Sequence, residues 1–196
     1  MNFLYRLVLA LLLVTAPALA GAATWQIDPD HAFVEFKVKH LMVSSVKGTF
    51  TKVAGTLEAD DADLAKATVT VTIDTASLDT NIAKRDEHLR SPDFFDVAKY
   101  PTMNFTSKRV IVEGGKVSKV IGDLTIRGTT REVTLDVADF TPAIKDPWGK
   151  QRRGATATAT INRKDFGLAW NKLLETGGAV VGDEVKISLD IELIKK

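Results

Sequence analysis

The chain has 196 residues, of which 45% are hydrophobic, and this is enough for one domain with a sizeable core. Its 26 basic and 25 acidic side chains nearly cancel, and this balance argues against nucleic acid and against an anionic membrane surface as partners. The sequence contains no cysteine, which excludes disulfides, thiolate catalysis and zinc–thiolate sites.

The first 22 residues are typical of a secretory signal peptide. A short start containing Arg6 precedes the apolar run 7–14, and small residues follow up to Ala22. The apolar run is well short of the roughly 20 residues that a membrane-spanning helix needs. We therefore expect residues 1–22 to be cleaved and residues 23–196 to be exported as one soluble domain without net charge. An uncleaved anchor is the less favoured alternative.

The first predicted strands show alternating apolar and polar side chains. Residues 25–28 form a short strand, and after a break residues 32–40 form a half-buried antiparallel strand. Residues 48–59 continue the sheet, and Gly55 marks a bulge or bend in them. Residues 67–75 alternate between apolar side chains and threonines, which predicts another strand.

Residues 77–101 do not alternate, and connections of this length are usually functional. The segment 84–89 is rich in helix formers. Ser91 is suited to begin a second helical turn that carries Phe94 and Phe95. We therefore predict a short helical lid with an aromatic plug, lying between two strands.

Alternation resumes after the lid and continues to the end of the chain. Further strands are predicted at residues 102–113, 116–127, 133–137, 155–161 and 185–193. Short turns join most of them, but residues 142–153 form a loop with Trp148 near its tip, and residues 162–183 form a second long connection. About eight strands without crossover helices predict an all-β antiparallel barrel or sandwich.

Small side chains occupy positions where a packed core would carry large ones. The predicted inward face of one strand presents Ala155, Ala157 and Ala159, and Gly55 and Gly122 are further small positions. An eight-stranded barrel is just wide enough to be filled by side chains or to hold one small ligand. The pattern alone leaves two structures open, a barrel with an apolar cavity and a filled sandwich.

The sequence shows no motif for nucleophilic catalysis, phosphate binding or dinucleotide binding. Its three histidines lack metal-ligand spacing, so we predict no metal and no cofactor. Arg85, Asp86 and His88 are suited to acid–base chemistry. The favoured interpretation is a polar cluster that fixes the lid, in which Arg85 binds loop carbonyls. Headgroup binding comes second and catalysis a distant third.

Several ordered motifs resemble the signature run of the YceI-like family. They include the Asp-Pro-Trp-Gly run at 146–149 and the Asp-Phe-Gly run at 165–167. The others lie at residues 79–81, 85–94, 99–101, 122–125 and 182–185. The resemblance covers residues 25–195, which is essentially the whole predicted mature domain.

This resemblance implies a lipocalin-like, eight-stranded antiparallel β-barrel in the bacterial periplasm. Family members resemble carriers or stores of isoprenoid-tailed lipids, so the implied ligand is a polyisoprenoid or quinone-type lipid with its tail in the barrel. The resemblance favours the barrel with a cavity over the filled sandwich. We also predict no cofactor, no nucleic-acid partner and no stable membrane insertion, and a barrel strand edge or the Trp148 loop could support a homodimer.

We therefore predict a lipid-binding protein that performs no chemistry. The predicted apolar pore is lined by Val34, Phe36, Val38, Val69, Val71, Phe105, Leu124, Ala155, Ala157, Ala159, Ile187 and Leu189. The predicted polar mouth and lid consist of Asn81, Arg85, His88 and Phe94. These assignments depend on register, because a one-residue slip moves every side chain to the other face.

Two alternatives belong to other functional classes. One is a stress-linked interaction module that binds a partner protein through the lid and Trp148. The less favoured one is an enzyme acting on the bound lipid, with Asp86 and His88 as its acid–base pair.

Overall fold

The computed structural model describes residues 21–175 and 177–196. The predicted signal peptide lies outside the described residues, apart from Gly21 and Ala22. Within the described ranges, no helix is long and apolar enough to cross a membrane.

The described residues form eleven strands and one α-helix. The strands are β1 Ala23–His40, β2 Ser44–Phe50, β3 Val53–Ala59, β4 Thr68–Asp74, β5 Leu78–Asp79, β6 Thr102–Glu113, β7 Lys116–Ile126, β8 Thr129–Phe140, β9 Ile144–Lys145, β10 Gln151–Asn162 and β11 Val181–Lys195. The helix is α1 Ala83–Arg90, and short 3-10 turns span Leu64–Lys66, Thr75–Ser77 and Arg163–Phe166.

The strands close into an antiparallel barrel, because β11 pairs with β1 as well as with β10. β2 pairs with the second half of β1, and β3 pairs with the first half of β1. Together β2 and β3 therefore occupy one strand position in the barrel wall. β5 and β9 are two-residue strands that pair with β2 and β10 at the margins. The prediction of an eight-stranded antiparallel barrel with one short helix is confirmed.

Two predicted strand boundaries were wrong. β1 is a single strand, because the predicted break is only a shift in its pairing with β11 between Ile27 and Ala32. The predicted strand 48–59 is interrupted at Thr51 and Lys52, whose backbone N–H groups donate to the Ser77 carbonyl and hydroxyl at 3.2 and 3.1 Å. These bonds to Ser77 take the place of sheet pairing at the interruption.

The predicted second turn at Ser91 forms, and the Ser91 hydroxyl accepts from the Asp93 N–H at 3.3 Å, but it is a tight turn and not a helix. The Ser91 N–H donates to the His88 carbonyl at 3.1 Å, so Ser91 ends α1 instead of beginning another helix. The N–H groups of Phe94 and Asp96 then donate back to the Ser91 carbonyl at 3.0 and 2.9 Å. The segment after α1 is therefore a series of tight turns that carries its aromatic residues over the barrel.

Antiparallel pairing places the connections at two opposite ends. The lid end carries α1, the turn at residues 41–43 between β1 and β2, and the long connection between β10 and β11. The far end carries residues 60–67, residues 141–150, and the start of β1 and the end of β11. A candidate site inside the barrel is therefore closed by different residues at each end.

Candidate functional site

The barrel encloses a cavity of about 290 Å³ whose walls are almost entirely apolar. Its lining reaches Leu89 and Phe94 at the lid end, and Leu64 and Phe140 at the far end. This volume lies at the low end of the roughly 300–1,000 Å³ typical of small-molecule sites. A cavity that spans the barrel and has apolar walls is suited to a narrow hydrocarbon chain.

All twelve predicted pore residues line the cavity. They do so because strand side chains alternate between faces, and the registers of β1, β4, β6, β7, β10 and β11 all place these positions inward. Of the four residues predicted for the polar mouth and lid, only Phe94 lines the cavity. The structure therefore brings the pore set together and leaves Asn81, Arg85 and His88 outside the lining.

Three alanines of β10 leave room on one side of the cavity. Ala155, Ala157 and Ala159 pair in register with Ile191, Leu189 and Ile187 of β11, and all six side chains line the cavity. Ala157 and Ala159 are themselves buried. Larger side chains at these positions would project into space that the alanine methyl groups leave open.

Other lining residues were missed by the sequence reasoning. Val133, Leu135 and Val137 of β8 line the cavity, and their alternation was a sufficient signal to include them. Phe166 and Leu168 also line it, but they lie in the long connection between β10 and β11, where no periodicity points inward.

Arg85 and Asp86 fix α1 to the preceding segment. The buried Asp86 carboxylate accepts a 2.9 Å hydrogen bond from the Thr80 N–H and another from the Thr80 hydroxyl. Arg85 donates from Nε to the Thr80 hydroxyl and from Nη2 to the Thr80 carbonyl, both at 2.7 Å. This is the lid-fixing arrangement favoured from the sequence, although it centres on Thr80. Asn81 follows, exposed and in the left-handed region at φ 62°.

His88 belongs to an aromatic cluster over the lid end. Its ring lies edge-on to Phe94 and Trp170, with centroids 5.1 and 4.9 Å apart, and its Nε2 is 2.9 Å from Oδ2 of Asp93. The Phe94 and Trp170 rings are 5.2 Å apart. Phe94 is thus the contact between this partly exposed cluster and the cavity below it.

Arg163 holds the long connection between β10 and β11 in place. It is buried and donates to the carbonyls of Gly182 and Trp170 at 2.8 and 2.9 Å, and to that of Leu168. Burial lowers the pKa of this guanidinium, and Asp183, 3.3 Å away, acts in the opposite direction. Arg163 therefore holds the backbone of Trp170, a member of the aromatic cluster, and the sequence analysis did not single it out.

Arg153 occupies the interior at the far end. It is only 4% exposed, and its guanidinium lies 4.3 Å from the Trp25 ring centroid and 4.5 Å from that of Phe140. Its Nη2 donates to Oδ1 of Asp61 at 2.8 Å. Stacking between two rings explains how a cation is accommodated at the end of an apolar barrel.

Arg152 organises a second polar cluster on the outside of the far end. It bonds Asp146 at 2.6 Å, Asp28 at 2.7 Å, and Glu192. Burial acts to raise the pKa of Asp28, but the hydrogen bonds from Arg152 and His31 outweigh it and the pKa is lowered. The hydrogen bond to Asp28 raises the pKa of His31.

The same cluster contains a metal-like grouping of ligand atoms. Atoms of Asp28, His31 and Glu192 lie within 4.8 Å of one another. Arg152 Nη1 donates to both carboxylates, so a guanidinium already stands where a cation would bind. The geometry is that of a charge network joining β1, β10 and β11.

Comparison with known proteins links this geometry to a family. The sequence model of the YceI-like domain matches residues 25–193. A UPF0312 protein of Vibrio cholerae is 43% identical over 157 residues, which cover 79% of this chain and 82% of the relative.

Solved structures show the same fold. The crystal structure of Burkholderia cenocepacia BcnA matches with a TM-score of 0.70 at 26% identity, over 85% of this chain and 98% of that one. A polyisoprenoid-binding domain from Saccharophagus degradans matches with a TM-score of 0.64, over 89% of this chain and 99% of that one. Its 16% identity shows likeness of fold alone.

Proposed function

Because this chain belongs to the YceI-like family and encloses an apolar cavity along its barrel, we propose that it is an exported carrier or store of an isoprenoid-tailed lipid. The cavity, with walls that are almost entirely apolar, is the observation that carries the proposal. The isoprenoid class is what the family resemblance implies, and the Saccharophagus domain of the same fold is described as polyisoprenoid-binding. In this proposal the protein performs no chemistry on the lipid.

The energetics favour a tail over a polar ligand. Each buried methylene group contributes about 0.8 kcal/mol, whereas an unpaired buried polar group costs roughly 1–3 kcal/mol. Immobilising a flexible tail opposes binding, so several buried isoprene units are needed for tight binding. Because the cavity is at the low end of ligand-site volumes, a long tail extends beyond it or widens it.

We place the lipid headgroup at the lid end, beside His88 and Phe94. Phe94 lines the cavity, and the His88 ring packs against it while remaining partly exposed. Arg85 is a weaker candidate, because its Nε and Nη2 already donate to Thr80.

Uptake of a defined prenol tests the proposal. Delipidated protein is incubated with radiolabelled farnesol, and bound label is counted after gel filtration. We expect Ala157→Phe, which fills the cavity, to lose most of the uptake. Thr158→Phe adds the same ring on the exposed face of the same strand and should retain it. Equal uptake by both variants, or no uptake by the unmodified protein, contradicts the proposal.

Export to the periplasm is the second part of the proposal. It rests on the apolar run and small residues of the first 22 positions. Expression of the full chain in a Gram-negative host should yield a periplasmic protein whose measured mass corresponds to a chain beginning near Ala23. A full-length product confined to the cytoplasm contradicts this part and leaves the cavity argument intact.

One observation favours a second candidate function, the binding of a partner protein. Trp148 is 81% exposed on a turn held by Asp146, which accepts from the N–H groups of Trp148 and Lys150 at 3.0 and 2.8 Å. A large exposed aromatic side chain on a fixed turn is typical of an interaction surface. Loss of a stoichiometric partner in pull-downs with Trp148→Ala, but not with Ile144→Ala, would support this candidate.

A further inference from the structure

Four exposed apolar side chains form a projection at the lid end, which we call the apolar tip. It consists of Leu41, Met42, Val43 and Leu173, and the last three are 61%, 81% and 88% exposed. The Leu41 N–H donates to the Val180 carbonyl at 2.8 Å, which joins the turn to the segment carrying Leu173. Large apolar side chains exposed together indicate a contact surface.

The backbone of the apolar tip is held in an unfavourable conformation. Leu41 and Met42 have φ of 53° and 62°, in the left-handed region that bulky side chains rarely adopt. Glycine would occupy these positions without strain, and asparagine adopts this region more readily than leucine or methionine. Two strained residues that also expose apolar side chains are poorly explained by stability, and strain of this kind clusters at functional sites.

Three lysines lie side by side on the wall next to the apolar tip, and we call them the lysine row. Lys37 of β1 is the direct register partner of Lys47 on β2 and of Lys186 on β11, and all three are exposed. Like charges directly opposite one another destabilise a sheet. Within residues 21–175 and 177–196, Lys37 and Lys47 form no salt bridge, and Lys186 has only a 4.0 Å contact with the exposed Glu184.

The tip and the row face the same end of the cavity. Lys37 lies four residues before Leu41, or about 13 Å along the chain from the start of the tip. Between them Val38 points inward and lines the cavity together with Val181, the neighbour of the Val180 that binds Leu41. A surface that covered the tip would therefore lie beside the cavity at the lid end.

We propose that the apolar tip and the lysine row form a docking surface for an anionic lipid bilayer. Apolar side chains flanked by lysines match an interface of acyl chains and anionic headgroups. The near-zero net charge of the chain does not reveal this surface, because the three lysines of the row are register neighbours on one wall. The proposal rests on the proposed function for its purpose, which is exchange of the lipid with a membrane.

Co-sedimentation with vesicles tests the docking surface. We expect the protein to bind phosphatidylcholine vesicles only when they contain phosphatidylglycerol, and added salt to weaken binding. Each lysine near an anionic surface is worth about 1 kcal/mol, so Lys37→Glu with Lys47→Glu should weaken binding tenfold or more. Met42→Asp should also abolish binding, and aspartate tolerates the left-handed conformation well. Lys116→Glu and Ile144→Asp at the far end are the matched controls and should bind normally.

Three results would overturn the docking surface. They are equal binding to vesicles without phosphatidylglycerol, unchanged binding by the double lysine variant, and formation of a dimer through the tip in place of vesicle binding. Farnesol uptake from detergent distinguishes this proposal from the carrier function. Farnesol uptake without vesicle binding would reject the docking surface alone, whereas vesicle binding without farnesol uptake would reject the carrier function.

Discussion

Asp28, His31 and Arg152 make one corner of the barrel sensitive to pH. The raised pKa of His31 means that its protonated form is favoured in the folded protein. The lowered pKa values of Asp28 and Asp146 mean that their charged forms are favoured. The contribution of protonated His31 to the stability of the folded protein is complete below the ordinary histidine pKa of 6.5. It is lost as the pH rises through the higher pKa that His31 has in the folded protein. Carboxylate stabilisation is lost only as the pH falls below 3.8.

His31→Gln isolates the histidine contribution, because glutamine retains a hydrogen-bond donor without the charge. We expect the unmodified protein to exceed the variant in free energy of unfolding at about pH 5.5, and the difference to shrink by about pH 8.5. Both carboxylates stay ionised over this interval, so they do not contribute to the change. Urea unfolding at the two pH values measures it. Parallel pH dependence of the two proteins would show that His31 is not coupled to Asp28.

At the scale of the element, the lid is held by contacts that the alternation of apolar residues does not encode. Asp86 and Arg85 both form hydrogen bonds with Thr80, and Arg163 donates to the carbonyls of Trp170 and Gly182. A helical segment at 84–89 was predictable from helix propensity, and the structure has α1 at Ala83–Arg90. A turn capped by Ser91 was predictable, but its non-helical course was not, because the N–H groups of Phe94 and Asp96 both return to the Ser91 carbonyl.

Asp86→Ala should destabilise the protein by about 1–3 kcal/mol, because the buried Thr80 N–H and hydroxyl lose their acceptor. Glu87→Ala, on the exposed face of the same helix, is the matched control and should be near neutral. The free energy of unfolding in urea gives the magnitude, and limited proteolysis within residues 77–101 reports loosening of the lid. Equal stability of the two variants would mean that Asp86 does not hold α1.

Gly122 in β7 permits close packing in the barrel wall. A Cβ there would lie 2.4 Å from the Thr106 carbonyl oxygen and 2.6 Å from the Phe105 ring. Gly122→Ala should therefore destabilise the protein by roughly 1–3 kcal/mol, as overpacking does. Gly154→Ala in β10 is the control, because its nearest neighbour would be at 3.6 Å. Thermal unfolding of both variants measures the difference. If Gly122→Ala is as stable as Gly154→Ala, the neighbouring residues must shift to accommodate the added Cβ at little cost.

At the scale of the whole molecule, alternation predicted the inward face because β-strand side chains have a period of two. The twelve pore positions line one cavity for that reason. Contacts between residues far apart in the sequence could not be predicted from alternation. An example is the Arg152–Asp28 pair, whose members are 124 residues apart. The interruption between β2 and β3 could not be predicted for the same reason, because Thr51 and Lys52 form hydrogen bonds with Ser77 in another part of the chain.

The central claim is that the barrel carries an isoprenoid-tailed lipid. Native mass spectrometry of the protein purified from a bacterial periplasm, followed by denaturation and lipid identification, tests it most directly. The account predicts one lipid per chain, released on unfolding, bearing an isoprenoid tail and largely missing from Ala157→Phe. A monodisperse protein of bare polypeptide mass that also takes up no farnesol would contradict it.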